Sequence, residues 1–374
     1  MKLRTVLFWA HLSIGVCVGL VVLNMAVTGM IMAFEPQIVG FAERKQRFVN
    51  VPEGGAQRLS LEVITAKVAA QYPGKKITQI GLTADKSSSV SVHFGREGVV
   101  YVHPYTGEIL GEESQVHKIL HKIEDWHRWF GSKEIGRPIT GAACFGFLLL
   151  VLSGVYLWWP RQWQWKAIQP ILRFNPRLKG KARDWNWHNT IGFWCAPVLI
   201  VTTVTGLIMS YTWANNLLYR ATGNEPPPPR TQRVERDGGK NREAGKKEER
   251  PKAGFDVLYH AANTHVPAWT TMSIRRGNDD APVVVYLLEP PAWLSSHRSQ
   301  LTLDPYTADV KKWEPYSAQN SGRKLRGWVK YVHTGQAFGL LGQMVMFTGA
   351  CGAAVLVWTG FAMAWRRFFV KNKT

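Results

Sequence analysis

Four stretches of the chain carry no Asp, Glu, Lys or Arg: Thr5 to Phe34, Ile139 to Pro160, Trp185 to Tyr219 and Tyr331 to Trp365. Each is long enough to cross a bilayer, which takes about 20 predominantly apolar residues. Between them the pattern changes period. Ser60 to Tyr72 has helical spacing, with Leu61, Ile64, Val68 and Ala69 on one side, and Pro73-Gly74 stops it. Short strand-like runs follow at Lys76–Leu82, Val90–Phe94 and Val99–His103, then a turn at Pro104-Tyr105-Thr106-Gly107 and a run from Glu108 to Leu110. The later polar region has strand-like runs at Thr271–Arg275, Val283–Leu288 and Gln300–Leu303, with a turn at Pro305. The pattern predicts an α-helical membrane protein with four transmembrane helices and two small α+β modules, each a helix on an antiparallel sheet.

The chain reads as a tandem repeat. His11-Leu12-Ser13-Ile14-Gly15 answers His188-Asn189-Thr190-Ile191-Gly192, and a Thr-Gly stands seventeen residues after each His, at Thr28-Gly29 and Thr205-Gly206. His127 precedes Gly154 by 27 residues, as His333 precedes Gly360. Each half is therefore helix, module, helix. Two spans per half point both halves the same way, related by an axis along the membrane normal. That arrangement puts His11 and His188 near one face, and His127 and His333 near the other.

Composition and charge orient this plan. Among 374 residues, Lys plus Arg is 46 and Asp plus Glu is 26, a net charge of +20. The short segment Arg161 to Asp184 carries Arg161, Lys166, Arg173, Arg177, Lys179, Lys181 and Arg183 against Asp184 alone, and the termini add Lys2, Arg4, Arg366, Arg367, Lys371 and Lys373. Short basic loops stay cytoplasmic, so both termini are expected inside and the long regions outside. The first stretch begins like a signal peptide, but its apolar run is too long and lacks a small-x-small cleavage site, so it reads as a retained helix. No nucleic-acid motif accompanies the basic excess. A further part of that excess sits in Asn224 to Gly254, a Pro-rich, mixed-charge stretch that cannot build a core and reads as a disordered linker.

The expected organisation is a span over 5–34, a module over 35–112, a His-containing interfacial helix over 113–138, and a span over 139–160. A basic cytoplasmic loop follows over 161–187, then a span over 188–213, the linker over 224–254, a second module over 255–316 and a span over 333–365.

A lone His near a helix end is more often an interfacial residue than a ligand. Four at repeat-equivalent places point to ligation. They are split between opposite faces, so no single zinc ion takes them all. A bis-His pair suits one haem iron with both axial positions filled, which leaves electron transfer as its chemistry. Cys17, Cys144, Cys195 and Cys351 all lie in apolar stretches and none begins a Cys-x-x-Cys-His, so a disulfide framework in the loops and covalent haem are both excluded. Small residues near the histidines (Ala10, Gly15, Gly192, Gly335, Gly339) suit close approach of a macrocycle or plain helix packing equally. His117 and His121 share a helix face and make a metal site or an alternative axial ligand, with His121 the substitute for His127; the other reading is a solvated amphipathic helix. His93, His103, His260, His265 and His297 have no shared spacing and read as surface residues. Neither a Gly-x-Gly-x-x-Gly after a strand nor a P-loop occurs, so electrons would come from a cytoplasmic protein or a membrane quinol.

The paired Pro-Tyr-Thr turns, the His-rich helix before Gly136-Arg137-Pro138-Ile139, and Ser153-Gly154-Val155-Tyr156-Leu157-Trp158-Trp159-Pro160-Arg161 resemble the PepSY-associated transmembrane family. The resemblance covers nearly the whole chain apart from the linker. It implies PepSY domains in the periplasm and four spans in a bacterial inner membrane. In the branch of ferrioxamine-type siderophore reductases it also implies two b-type haems. The second turn departs from the pattern, with Ala308 in place of glycine, which suggests a degenerate module. The expected function is a di-haem b oxidoreductase. His11 and His188 would hold the inner haem, His127 and His333 the outer one, and a periplasmic ferric siderophore would be reduced to release its iron. No acid, base or nucleophile is required. The alternative is a non-enzymatic, membrane-anchored PepSY binding or regulatory protein, and a third reading, a transporter, is opposed by spans free of charged side chains.

Overall fold

The computed structural model describes residues 3–54, 57–95, 97–160, 164–227, 251–277, 280–290 and 296–370. The expected disordered linker over 224–254 lies outside the described residues except at its ends. In chain order the helices are α1 (Leu3–Met32), α2 (Glu35–Ala42), α3 (Arg44–Arg47), α4 (Leu61–Gln71), α5 (Gln115–Trp129), α6 (Lys133–Trp158), α7 (Trp165–Leu172), α8 (Gly180–Ser210), α9 (Thr212–Ala221), α10 (Phe255–His265), α11 (Ser321–His333) and α12 (Gly339–Phe368). The strands are β1 (Gln79–Thr83), β2 (Val90–His93), β3 (Val99–Val102), β4 (Ile109–Glu112), β5 (Thr271–Arg275), β6 (Val283–Leu288), β7 (Arg298–Leu303) and β8 (Val310–Glu314).

The chain divides into two compact units. The first comprises Met1–Glu35, Ile119–Ala221 and Leu325–Thr374. Its helices α1, α6, α8 and α12, the last with the turn before it, are long and apolar enough to cross a membrane. Helix α1 packs on α6 and α12, and α8 packs on the same two, so repeat-equivalent helices stand diagonally in a closed ring. Glycines allow the close approach: a Cβ at Gly349 would stand 2.6 Å from Val198, and one at Gly146 would stand 3.1 Å from Val18.

Three expected boundaries move. The third span does not begin at 188 after a loop over 161–187. Helix α7 occupies part of that loop, and α8 starts at Gly180, because its charged first turns are held by ion pairs: Asp184 is fully buried and meets Arg183 at 2.8 Å and Arg366 at 3.0 Å. The expected single helix over 113–138 is two. Phe130 and Gly131 take left-handed backbone (φ 47° and 77°), ending α5 and letting α6 begin at Lys133. The fourth span starts at Gly339 rather than 333, because Gly335 and Gly339 take positive φ in the turn after His333. Those two glycines therefore serve the turn.

The second unit, Pro36–Lys118 and Thr222–Lys324, holds the strands. Two separate modules were expected, and the structure joins them in one antiparallel sheet of order β4-β3-β2-β1-β5-β6-β7-β8. Ile64, Val68, Leu258 and Ala262 of the helices pack on Ile80, Val92, Val100, Ile274, Val285 and Leu301 of the strands in a single core. At the seam Ile80 pairs with Ile274, its own repeat equivalent, and the flanking pairs are Gln79↔Arg275 and Gly81↔Ser273. The helices exchange caps across the same pseudo-twofold. Asp256 accepts from the N–H groups of Leu61 (2.6 Å) and Glu62 (3.2 Å), while Glu62 accepts from the N–H of Asp256 (2.8 Å). Each carboxylate thereby satisfies orphan donors at the other helix's start.

The two Pro-Tyr-Thr turns are alike. Gly107 has φ 71° and Ala308 φ 62°. The side chains of His103 and Asp304 play the same part, each accepting from the two N–H groups that follow the proline, at 3.2 and 3.3 Å and at 2.8 and 3.1 Å. The second turn is thus complete without its glycine, and His103 has a structural task.

Candidate functional site: paired histidines in the helical unit

His11 sits on α1 and His188 on α8, the diagonal helices of the ring, and their imidazole centres are 6.3 Å apart with the planes nearly perpendicular at 82°. Two metal–imidazole bonds of about 2.0–2.1 Å, with about 1 Å more from each nitrogen to its ring centre, would span about 6 Å. The pair lines a cavity of about 1480 Å³ together with Gly15, Gly192, Trp158 and Arg367. That volume exceeds the ordinary small-ligand range of roughly 300–1,000 Å³. His127 near the end of α5 and His333 at the end of α11 lie within electrostatic reach of each other. All four rings are half-buried.

The surroundings of the four are the same. Each Nδ1 meets a hydroxyl on another helix of its own repeat: His11 meets Ser153 at 2.9 Å, His127 meets Thr28 at 2.8 Å, His188 meets Thr359 at 2.9 Å and His333 meets Thr205 at 2.9 Å, the last with the Thr202 carbonyl as a second acceptor at 3.1 Å. Each hydroxyl is followed by a glycine. A Cβ on Gly154 would stand 3.4 Å from the Cε1 of His11, and Cβ atoms on Gly29, Gly360 and Gly206 would stand 3.6 Å from those of His127, His188 and His333. A methyl just fits there, and a larger side chain would push the ring aside.

The proton positions follow. Each hydroxyl donates to the carbonyl four residues earlier: Thr28 to Asn24 (2.6 Å), Ser153 to Leu149 (2.6 Å), Thr205 to Val201 (2.7 Å) and Thr359 to Val355 (2.8 Å). With its one proton committed, the oxygen can only accept. Nδ1 is therefore the N–H nitrogen, and Nε2 keeps its lone pair.

The other sequence candidates lie elsewhere. His121 is exposed and 3.7 Å from Glu124. His117, grouped with a solvated face in the sequence reading, is turned inward in the sheet unit, its Nδ1 2.8 Å from fully buried Glu43. Glu43 also accepts from Arg47 at 2.7 Å, Tyr101 at 2.8 Å and the Ser114 N–H at 3.0 Å. Burial opposes its ionisation, but bonds from Ser114, Arg47, Tyr101 and His117 outweigh that and hold the carboxyl at about 2. Sequence reasoning used the Thr-Gly pairs as repeat markers and missed their contact with the rings. The signal was there, as a hydroxyl residue followed by glycine in every span.

Fold and site together define a multi-span membrane protein in which two repeats bring their imidazoles together in pairs, each with one nitrogen free. The chain belongs to the PepSY-associated transmembrane family: the model of the PepSY-associated TM region matches residues 8–367, nearly its whole length. No curated protein matches it.

Proposed function

We propose that the chain is a di-haem b oxidoreductase of the bacterial inner membrane that takes electrons from the cytoplasmic side and reduces a periplasmic ferric siderophore. The observation that carries this reading is the fourfold arrangement of imidazoles, each with Nδ1 tied to a hydroxyl and Nε2 free. The donor set fits a haem. Two neutral imidazoles at 6.3 Å suit one iron, and the adjoining cavity is roomy and mostly apolar in lining. His11 and His188 would hold one haem, and His127 and His333 the other. A bis-imidazole haem supplies one-electron transfer with no open position for oxygen chemistry.

The chain's own residues do the rest. Repeat-equivalent helices bring one histidine each to a shared point, so each cofactor would clamp the two halves together. Arg4, Lys181 and Arg367 are among the residues lining the cavity, and such cations suit carboxylates. Basic residues gather where α8 begins and α12 ends, which supports a cytoplasmic position for both termini. The substrate class comes from the family resemblance. One electron turns Fe³⁺ into Fe²⁺, which hard oxygen chelators hold less firmly, so the iron is released. The electron donor is a membrane quinol or a cytoplasmic reductant. A pyridine haemochrome assay on the purified protein should give about two extractable haems per chain; none would overturn the reading.

A further inference from the structure

Four histidines, four hydroxyls and four glycines occur in one arrangement, although they lie on different helices and at both ends of the bundle. We propose that Thr28, Ser153, Thr205 and Thr359 are positioning residues: each fixes its histidine as the Nδ1–H tautomer, sets the ring's rotation, and so governs how strongly Nε2 donates to an iron. The inference rests on the haem reading of the site.

Three observations carry it. The first is selectivity of role. A Ser or Thr inside a helix ordinarily bonds back to its own carbonyl and does no more. Here all four do that, and all four also receive a ring N–H from a different helix. The back-bond is what makes the hydroxyl a pure acceptor, so the two bonds act in series. The second is geometry. Each hydroxyl residue precedes a glycine whose Cβ site would stand 3.4 to 3.6 Å from the Cε1 of the ring. The hydroxyl holds the Nδ1 edge of the ring, and the glycine leaves room for the adjoining Cε1 where a larger side chain would push the ring aside. The third is distribution. Each support comes from the histidine's own repeat, whereas each histidine pairs with one from the other repeat. Every half thus presents two oriented imidazoles, and the pairs form where halves meet.

An acceptor on the far nitrogen of an imidazole raises its basicity as a ligand. A more basic ligand favours the ferric over the ferrous state. Loss of the hydroxyl should therefore raise the midpoint potential of the haem concerned and free its ligand ring to turn.

The test uses the full chain with Thr359→Val, which keeps the shape and removes the hydroxyl, and Thr359→Ser, which restores it. Haem content, potentiometric titration and the low-spin ferric EPR signal are read for each. The expected result is two haems in Thr359→Val, an upward shift of one midpoint potential and a changed EPR signal for that haem, with Thr359→Ser close to the parent protein. Loss of one haem in Thr359→Val but not in Thr359→Ser also supports the proposal. Two haems with unchanged potentials and spectra in Thr359→Val overturn it, as does loss in both variants. Should Thr359→Val not fold, Ser153→Ala probes the same pair from the other ligand with the same expected and overturning results. A parent protein without haem overturns the function proposed above, which is a distinguishable outcome.

Discussion

In the helical unit the two halves of the chain match closely: His11 and His188 are both held at 2.9 Å, by Ser153 and Thr359, and each sets its Cε1 beside a glycine. In the sheet unit the halves share their framework, while the described polar residues of their interiors differ. The first half buries Glu43 completely among Arg47, Tyr101, Ser114 and His117. Among the described residues of the second half of this unit no carboxylate is fully buried, and Glu314, partly exposed, has Arg323 at 2.8 Å and Lys312 at 3.1 Å. Groups that must converge on a shared point are alike in both copies, while groups that act within one copy differ. On the haem reading, a cofactor between equivalent ligands would need both geometries at once, whereas a buried ion network only has to suit its own half.

The largest effect should come from breaking one convergent pair. On the haem reading, His188→Ala removes one haem and leaves that of His127 and His333, so the variant holds about half the parent content by pyridine haemochrome. His333→Ala does the reverse. In both, electrons supplied at the cytoplasmic face no longer reach the chelate. Loss of both haems in either variant would break the two-layer scheme. Full content in His333→Ala, with one haem lost in His121→Ala, would move the ligand to His121.

A smaller effect separates the two carboxylates. Glu43→Ala should destabilise the full-length protein by on the order of 3 kcal/mol, because four donors lose a buried acceptor. Glu314→Ala should cost about 1 kcal/mol or less, as for other partly exposed pairs. Unfolding of both variants in detergent measures the difference, and equal losses would erase the contrast drawn between the halves. The same residue predicts a pH dependence. The folded Glu43 carboxyl titrates at about 2, against an ordinary 4.5. Its contribution is therefore complete above about pH 4.5 and lost as pH falls toward 2. Glu43→Gln should flatten that acid limb of the stability curve.

The smallest effect tests how alike the two turns are. Ala308 holds φ 62° where the first half has glycine. Ala308→Gly should stabilise the protein by up to about 1 kcal/mol, since relief of left-handed strain of roughly 1–2 kcal/mol is partly offset by backbone entropy. Gly107→Ala should destabilise it by about the same. A loss of stability in Ala308→Gly would mean that the methyl packs against something worth more than the strain.

Much of this was legible in the sequence. Runs free of charge mark the four spans because lipid excludes uncompensated ions. They misplace the start of α8 because Asp184 is compensated by Arg366, far along the chain, which a local window cannot register. The strands of β5 and β6 are read to the residue from alternation and β-branched content. That β1 pairs with β5 is not legible, since periodicity fixes which face a strand buries and says nothing of which edge it meets. The histidines stood out through repeat spacing. Their hydroxyl partners lie between 99 and 171 residues away, so only the folded helices reveal them.

The seam at Ile80 and Ile274 is self-complementary: either half offers the surface that the other accepts. Two separate half-chains would meet there as an isologous pair, the arrangement of a C2 dimer. Joining them in one polypeptide makes that encounter intramolecular, at an effective concentration that reaches the mM range for short flexible connections. The protein is in this sense a dimer that dilution in the membrane does not dissociate. Its two copies are also free to diverge, as a homodimer's cannot, because one gene segment no longer has to serve both roles.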